Sequence, residues 1–459
     1  MGRRPRGGLT RKPVDRKPER GRLLTDPVAR GSALLFWSKV AGNAGFFAAV
    51  LILARALGPT GRGTIAFITV TALVAARVAS LGMGEATTVF VARRPEARGA
   101  LLANAVAFMF STGLLAAAVA CGALVALGDN RPAGVGAPEL AVLACATLLS
   151  ALTEVGYVFL LGSNRLRSVA LITATASWVY PLFLLVIWST MGLTVLRAAL
   201  AWAAAEGVRA LAYLGQSLRG LRLSRLDPRL LVEAVRFGSR AWVGSLARFL
   251  NFRTDQILMG FLASEAALGI YAVAVNASEV LLYLPAATAT ALLPTAARVE
   301  AGLRTEHALR AFRSAAVVTA VGAFAAALLG PFLLPRLFGE PFEASVTPFL
   351  LLLPGAFGFA AMVVFSSALV AGSSPGLSSV GPTVSLVVGV ALDLLLIPRF
   401  GASGAAAAAS AAFLVGGGAA LAAFRHRHPF AWRSLLLPRR SDLAVFKALV
   451  APLRLVRSA

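Results

Sequence analysis

The sequence predicts an all-α polytopic membrane protein with about 12 transmembrane helices. Its 459 residues are 58% hydrophobic and only 14% charged, and their mean hydropathy is +0.78. Apolar runs of about 18 residues or more recur, and each is long enough to cross a hydrocarbon core of about 30 Å as a helix. The basic residues cluster between these runs. Together these observations exclude a soluble globular domain.

The apolar runs fall into two groups of six. They predict an N-terminal six-helix bundle over residues 32–216 and a C-terminal six-helix bundle over 239–424, joined by a linker over 217–238. Residues 1–31 and 425–459 are basic tails. The predicted spans are 33–55, 64–84, 99–127, 138–162, 168–191, 194–216, 239–262, 268–294, 310–333, 345–371, 378–398 and 402–424.

The charge of each loop predicts which side of the membrane it faces. Of the 44 Lys and Arg residues, 32 lie in the two tails and in alternate loops, whereas 6 lie in the opposite loops or at their edges. Cytoplasmic loops of membrane proteins are enriched in Lys and Arg. Both termini are therefore predicted to be cytoplasmic, and the net charge of +24 requires no nucleic-acid partner.

Nothing in the sequence indicates a catalytic or metal-binding site. The chain lacks a GxxxxGK(S/T) phosphate-binding loop, and its outward loops are short. Cys121 and Cys145 lie within apolar runs and are expected to pack there instead of forming a disulfide. His307, His426 and His428 lie in basic loops or the C-terminal tail, where a buried metal ligand or general base is not expected. The sequence favours a membrane protein that is not an enzyme and has no cofactor.

A weak internal repeat relates the two halves. When the chain is shifted by 205 residues, Trp37 aligns with Trp242, and after one inserted residue GTIAF (63–67) aligns with GIYAV (269–273). Six spans separate the aligned helices, so both run in the same direction. This predicts parallel repeats about an axis along the membrane normal, with a binding site near the midplane between them.

The stretch SLARFLNFRTDQILMG (245–260) places charges in the seventh span, where their desolvation is most costly. At about 100° per residue, five residues fall within an arc of roughly 80° and form one polar stripe. A charge at the bilayer centre costs at least about 2.5–3.5 kcal/mol, so the stripe is expected to face water or a partner. The stripe consists of Arg240, Gly244, Arg248, Asn251 and Asp255.

The repeat places a second polar face opposite this stripe. Asn43 in the first span occupies the position equivalent to Arg248, and Lys39 lies one turn before it. Cations outnumber carboxylates on these two faces, which favours a wet cationic cavity between the bundles. The alternative is that Arg248 pairs with Asp255 or Glu279 inside a packed bundle.

Other charges within the spans have simpler interpretations, with one exception. Glu206 and Arg209 are three residues apart on the sixth span and are expected to neutralise each other. Glu279, near the middle of the eighth span, has no basic residue close in sequence and is the candidate for coupling transport to a proton or sodium gradient. The charges expected to make structural or interhelical contacts are Glu154, Arg253 and Asp393.

Five stretches carry a likeness to a known family. They are ARALGPTGRGTIAF (54–67), SLGMGEATTVFVARR (80–94), LNFRTDQILMGFLASEAALGIYAVAV (250–275), LFGEPF (337–342) and LLLIPRFGASGAA (394–406). In order and span position these stretches resemble the Wzx-type polysaccharide-biosynthesis flippases of the multidrug/oligosaccharidyl-lipid/polysaccharide exporter superfamily. The resemblance covers about residues 31–424.

The resemblance implies a fold and an activity. The fold is two pseudo-symmetric six-helix bundles around a central cavity, as in multidrug exporters of the MATE type. The activity is movement of an undecaprenyl-diphosphate-linked oligosaccharide to the outer leaflet of the bacterial cytoplasmic (inner) membrane, with polysaccharide polymerase and export machinery as implied partners. Lys39, Arg240 and Arg248 match by position the cavity cations that hold the anionic head group. Asn43 stands where a second cation would complete the clamp.

Three other functions stay open on the residues alone. A multidrug exporter of the same superfamily carries mainly cationic substrates, so its cavity would favour carboxylates over these cations. A peptidoglycan lipid II flippase typically has two further C-terminal spans, but residues 425–459 contain no apolar run of that length. A membrane-embedded glycan polymerase or transferase usually needs larger outer loops than this chain has.

Overall fold

The fold is helical throughout the part of the chain that the computed structural model describes, which is residues 27–436 apart from 129–131, 133, 223, 284, 290–300 and 373. Most of both predicted tails and the last residues of the eighth predicted span lie outside the described residues. The helices of the N-terminal half are α1 (Pro27–Ala79), α2 (Met83–Arg93), α3 (Arg98–Ala126), α4 (Ala137–Gly162), α5 (Leu166–Ala176), α6 (Val179–Met191) and α7 (Val195–Leu218).

The C-terminal half contains both long and broken helices. Short 3-10 segments flank them at 279–282 and 340–345. The helices are α8 (Pro228–Leu250), α9 (Thr254–Leu262), α10 (Glu265–Ser278), α11 (Ala301–Phe338), α12 (Val346–Leu352), α13 (Gly355–Ala371), α14 (Pro375–Ser378), α15 (Val380–Arg427) and α16 (Trp432–Leu436).

Two of these helices each contain two predicted spans. α1 bends sharply at Gly58, where φ is 66°, and Pro59 follows, which has no backbone N–H to continue the ladder. α15 bends in the same way at Gly401, where φ is 53°. Glycine alone adopts such angles without steric cost, so the sequence marks both reversals.

Seven described helical segments are long and apolar enough to cross a membrane, and the bent pair α12–α13 adds an eighth. α1 and α15 belong to this set and each hold two predicted spans. Two described elements match predicted spans but are not among these long apolar segments. They are α7 and the pair α8–α9. Their charged residues lower the mean hydropathy. Glu206 and Arg209 of α7 line a cavity within the N-terminal bundle, and Arg236 and Arg240 of α8 line a pocket between the bundles. The predicted class, an all-α multi-pass membrane protein, is confirmed.

The helical region that begins with the second predicted span, 64–84, extends to Arg93, beyond the predicted end. The chain breaks at Leu81 and Gly82, where φ is 43° and 83°, and then forms α2 through residues that were predicted to lie in a loop. Glu85 lies in the first turn of α2, and its carboxylate is paired with Arg77 at 2.7 Å.

The predicted repeat reappears as a symmetric contact between α1 and α10. A side-chain carbon on Gly63 would collide with the backbone of Glu265 and Gly269. One on Gly269 would collide with the backbone of Pro59 and Gly63. Because Gly63 and Gly269 are equivalent in the repeat, as are Pro59 and Glu265, each half makes the same contact with the other. A two-fold axis between parallel repeats produces such a contact.

We predict that Gly63→Ala lowers the thermal midpoint of the purified protein, because overpacking a tight helix crossing costs about 1–3 kcal/mol. Gly122→Ala is the matched control, since a side-chain carbon at Gly122 in α3 meets no atom within 4 Å and alanine favours a helix over glycine. Thermal unfolding in detergent measures both variants. Equal midpoints would contradict the crossing.

Candidate functional site

A polar cavity of about 330 Å³ lies within the N-terminal bundle and reaches α8 of the other bundle. Helices α1, α4, α5 and α7 supply most of its wall, and Phe249 of α8 supplies the rest. Most lining side chains are charged or carry a hydroxyl group, which is unusual inside a helical bundle of a membrane protein. The polar lining residues are Arg77, Ser150, Thr153, Glu154, Tyr157, Thr173, Ser177, Glu206, Arg209 and Tyr213.

The charges in this cavity neutralise one another. Arg209 donates to Glu206 at 2.8 Å, as their spacing on one helix predicted. Arg77 donates to Glu154 at 2.5 Å, so Glu154 has the structural contact expected of it. Two guanidinium groups therefore face two carboxylates, and the cavity has no net charge.

Hydroxyl groups and aromatic rings complete the lining. Tyr157 and Tyr213 pack edge to face with ring centroids 5.7 Å apart. The Tyr213 hydroxyl and the Thr173 hydroxyl form a hydrogen bond of 2.8 Å. The Ser150 hydroxyl is buried without a hydrogen-bond partner among the described residues. A neutral surface of this composition suits a ligand rich in hydroxyl groups.

Arg77 is the centre of a network that joins the two bundles. Within the N-terminal bundle it holds Glu85 and Glu154. Across the bundle interface its guanidinium donates to the Ser245 hydroxyl at 2.8 Å, and Ser245 donates in turn to Glu85 at 2.6 Å. The Trp242 indole N–H also donates to the Arg77 carbonyl oxygen at 3.2 Å. The ion pairs lie in one bundle, while uncharged groups of α8 make the contacts between bundles.

Arg248 lies one turn beyond Ser245 on α8 and behaves differently. Its side chain is exposed, and no hydrogen bond or ion pair to it is found within the described part of the chain. One nitrogen of its guanidinium lies over Gly244. The charges that act on it are Arg77, which repels it, and Glu85, which already binds Arg77. Arg248 is a cation without a neutralising partner among the described residues, and it is next in sequence to Phe249, which lines the neutral cavity.

The predicted polar stripe on the seventh span is interrupted. α8 ends at Leu250 and α9 begins at Thr254, so Asp255 no longer follows Arg248 on one helical face. The Asn251 amide donates to the carbonyl oxygens of Ala247 and Pro382, at 2.9 and 2.8 Å. The predicted stripe assumes an unbroken helix. Because the helix breaks, the Asp255 side chain lies within the C-terminal bundle, where it contacts Tyr271.

Glu279 has a basic partner that its sequence neighbourhood did not indicate. Arg253 donates to it at 2.9 Å, and both side chains are mostly buried. The interhelical contact expected of Arg253 is therefore confirmed. Neither alternative pairing of Arg248, with Asp255 or with Glu279, is found among the described residues.

A second and much smaller polar pocket, of about 20 Å³, lies within the C-terminal bundle. Asp255 and Asp393 both line it, and the Tyr271 hydroxyl donates to Asp255 at 2.5 Å. One carboxylate oxygen of Asp393 and the hydroxyl of Ser385 are buried without a hydrogen-bond partner among the described residues. Two carboxylates that share a pocket of this size require a proton or a cation to be stable there.

The remaining predicted residues lie apart from Arg248. Lys39 and Asn43 are exposed on α1, and no hydrogen bond or ion pair joins either of them to Arg248 within the described ranges. Arg240 lines a separate pocket near the beginning of α8. The structure therefore does not bring the five polar stripe residues and their repeat equivalents into one cluster.

The sequence did not predict that the neutral cavity forms. Each of its charged residues was visible as a charge inside a predicted span, and the Glu206–Arg209 pair was read correctly. The signal for a cavity was their joint occurrence on three neighbouring spans. Arg77 was the strongest single indication of a polar site, since it lies deep in the second predicted span without a charged partner close in sequence.

The helix order and the two bundles define a class of fold, the polytopic membrane proteins with two helical lobes. The lipid II flippase MurJ in an inward closed conformation aligns with a TM-score of 0.71 and 13% identity, over 88% of this chain and 89% of that chain. An inward-facing multidrug resistance MATE family transporter of the MOP superfamily aligns with a TM-score of 0.66 and 15% identity, over 84% and 94%. A Vibrio cholerae MATE transporter, VcmN, aligns with a TM-score of 0.57 and 15% identity, over 87% and 97%.

The family itself follows from the sequence. The model of the polysaccharide biosynthesis protein family matches residues 52–347, which is more than half of the chain, so the chain belongs to that family. No curated protein sequence matches significantly. The predicted family likeness is confirmed, as is the pair of helical lobes.

We predict that removing the charge of Arg77 destabilises the protein, whereas removing the charge of Arg248 does not. Arg77→Gln should lower the free energy of unfolding by about 3 kcal/mol or more, because it leaves two carboxylates without a counter-charge. Arg248→Gln should leave it within about 0.5 kcal/mol, because no partner is lost. Thermal unfolding of the two purified variants compares them. Equal destabilisation would mean that Arg248 has a structural partner after all.

Proposed function

We propose that the protein is a flippase. It moves a polyprenyl-diphosphate-linked oligosaccharide from the cytoplasmic to the outer leaflet of a bacterial cytoplasmic membrane, for export of cell-surface polysaccharide. The observation that carries the proposal is an unpaired guanidinium, that of Arg248, beside a neutral cavity rich in hydroxyl groups. The substrate has two matching polar parts, an anionic diphosphate and an uncharged glycan.

Each part of such a substrate finds suitable chemistry. Arginine binds phosphate oxygens through charge-assisted hydrogen bonds in a planar geometry. The carboxylates, hydroxyl groups and tyrosine rings of the cavity suit sugar hydroxyls. The cavity volume of about 330 Å³ is at the lower end for ligand pockets. Only the first sugars of a longer glycan therefore enter the cavity, and the lipid tail stays in the bilayer.

The other predicted site residues take supporting roles in this proposal. Lys39 and Arg240 are further cations along the path of the diphosphate, and Asn43 supplies hydrogen bonds where the repeat places no second cation. Asn251 and Asp255 bind protein groups in this conformation, so we assign them to coupling instead of to substrate contact. The basic loops face the cytoplasm together with both termini, and polysaccharide polymerase and export machinery are expected partners.

Alternating access requires the bundles to separate on the side of Ser245. There the contacts between bundles are hydrogen bonds to uncharged groups of α8, together with an exposed ion pair between Arg94 and Glu233 at 2.6 Å. A neutral hydrogen bond contributes about 0.5–1.5 kcal/mol, and an exposed ion pair contributes little because water screens it. The buried ion pairs of Arg77 stay intact during separation, so opening costs little.

We predict that Arg248→Ala abolishes flipping while protein level and membrane insertion stay normal. Loss of a charge-assisted phosphate contact of about 1.5–3 kcal/mol should weaken binding of undecaprenyl diphosphate ten-fold or more. Arg248→Lys keeps the charge and should retain part of the activity. Binding is measured on purified protein, and flipping in proteoliposomes.

The same variant identifies the cargo in cells. A strain that carries only Arg248→Ala should accumulate a lipid-linked oligosaccharide on the cytoplasmic face, and the composition of that glycan names the substrate. A peptide-bearing disaccharide would identify a lipid II flippase instead. Normal export from this strain would refute the proposal.

The energy source is proposed to act through the C-terminal bundle. Asp255 and Asp393 share a pocket that is large enough for a proton-bearing carboxyl pair or one monovalent cation. The occupied pocket would draw α9 toward α15, and α9 continues from the helix that carries Arg248. Glu279 is the second candidate, but Arg253 already neutralises it.

Two isosteric substitutions separate these coupling candidates. Asp393→Asn should leave undecaprenyl diphosphate binding unchanged but remove the response of flipping to an imposed proton or sodium gradient. Glu279→Gln should keep that response and lower the thermal midpoint, because it leaves Arg253 without its counter-charge. Flipping in proteoliposomes, with and without each gradient, gives the comparison. The reverse pattern would assign coupling to Glu279.

A further inference from the structure

A pocket of about 260 Å³ lies between α2 of the N-terminal bundle and α8 of the C-terminal bundle. It is distinct from the neutral cavity and shares no lining residue with it. Arg93 and Arg94 line it from α2 and the residue after α2, and Arg236 and Arg240 line it from α8. Glu233 is the one acidic residue in its lining.

The charges of this pocket are not balanced. Arg94 forms a two-pronged contact with Glu233, at 2.6 and 2.8 Å. Hydrogen bonding to Arg94 lowers the pKa of Glu233, so the pair stays ionised at neutral pH. For the guanidinium groups of Arg93, Arg236 and Arg240, no hydrogen bond or ion pair is found among the described residues. Three guanidinium groups therefore face one small volume without a counter-anion.

Aromatic rings and a close backbone contact position the two elements that carry these arginines. Phe90 and Phe237 form the apolar wall, with ring centroids 5.3 Å apart. Arg94 lies over the Phe90 ring, 5.0 Å from its centroid. A side-chain carbon on Gly82 would collide with the backbone of Gly238, so α2 and α8 are in direct contact one or more turns away. The exposed side chains of Arg93, Arg236 and Arg240 therefore extend from two elements that are in direct contact.

We infer that this pocket binds the phosphate group of an anionic lipid. Guanidinium groups match phosphate oxygens in charge and in planar geometry. Basic pockets between transmembrane helices, at the level of the head groups, suit such ligands. The phosphate comes from an anionic phospholipid or from a polyprenyl diphosphate, and the two rings pack against the glycerol or prenyl carbons next to it. The inference does not rest on the proposed function.

The bound phosphate has a conformational consequence. Arg93 belongs to one bundle, whereas Arg236 and Arg240 belong to the other, so an anion between them links the bundles. Without an anion, these like charges repel across the same contact. The phosphate therefore stabilises the conformation in which α2 and α8 touch.

The test compares two charge-matched double variants of the full chain. Arg93→Gln/Arg236→Gln removes two unpaired arginines of the pocket. Arg219→Gln/Arg222→Gln removes two exposed arginines between α7 and α8. Each purified protein is titrated with cardiolipin, with undecaprenyl diphosphate and with uncharged diacylglycerol, and bound lipid is counted by native mass spectrometry. Thermal midpoints without lipid show whether each variant is folded.

The pocket variant should bind at least one phosphate lipid ten-fold more weakly than the parent, and the control variant should stay within two-fold. A loss confined to cardiolipin identifies an anionic phospholipid as the ligand, and a loss confined to undecaprenyl diphosphate identifies a docking site for a polyprenyl diphosphate. Equal losses in both double variants, or none, would overturn the inference, since binding would then depend on net charge alone. If the folded pocket variant binds lipid normally yet Arg248→Ala does not flip, the inference fails while the proposed function stands.

Discussion

The contact of Arg77 with two carboxylates is the interaction on which the rest of the site depends. A guanidinium and two carboxylates deep in a membrane protein are tolerated only when they neutralise one another. Arg77 meets this requirement by bringing α1, α2 and α4 together through Glu85 and Glu154. That arrangement fixes one wall of the neutral cavity, and it aims the remaining donors of Arg77 at Ser245 on the opposite bundle.

The separation of strong and weak contacts follows from this geometry. Breaking a buried ion pair by removing a partner costs about 3–5 kcal/mol, so a transporter that had to do so in each cycle would move slowly. Here the ion pairs of Arg77 lie within one bundle, and on the side of Ser245 the bundles meet through Ser245, Trp242 and an exposed ion pair. At another contact between the bundles, Arg55 donates to the carbonyl oxygens of Leu337 and Arg336, at 2.7 and 2.8 Å. Glycines at the α1–α10 crossing allow the backbones to touch there without interlocked side chains.

Arg248 differs from Arg77 because no carboxylate neutralises it among the described residues. A charge within a membrane-spanning segment has a high desolvation cost, so it is rare there and is usually paired. An unpaired guanidinium next to a charge-neutral, hydroxyl-rich cavity is stable when water or an anionic ligand solvates it. The same reasoning applies to the pocket of Arg93 and Arg236 at the edge of the bundles, where the expected anion is held at head-group level.

The sequence by itself determined the membrane class, the order of the spans, the span boundaries on either side of Gly58 and Gly401, and the local pair of Glu206 with Arg209. These features depend on hydropathy, backbone angles and contacts within one helical turn, all of which are local. Tertiary structure alone decided which distant charges meet. Arg77 and Glu154 are 77 residues apart, and the crossing and rotation of their helices, which periodicity does not encode, bring them together. The break after α8 likewise separates Asp255 from the face of Arg248, and at this break the Asn251 amide donates to the Pro382 carbonyl oxygen, 131 residues away.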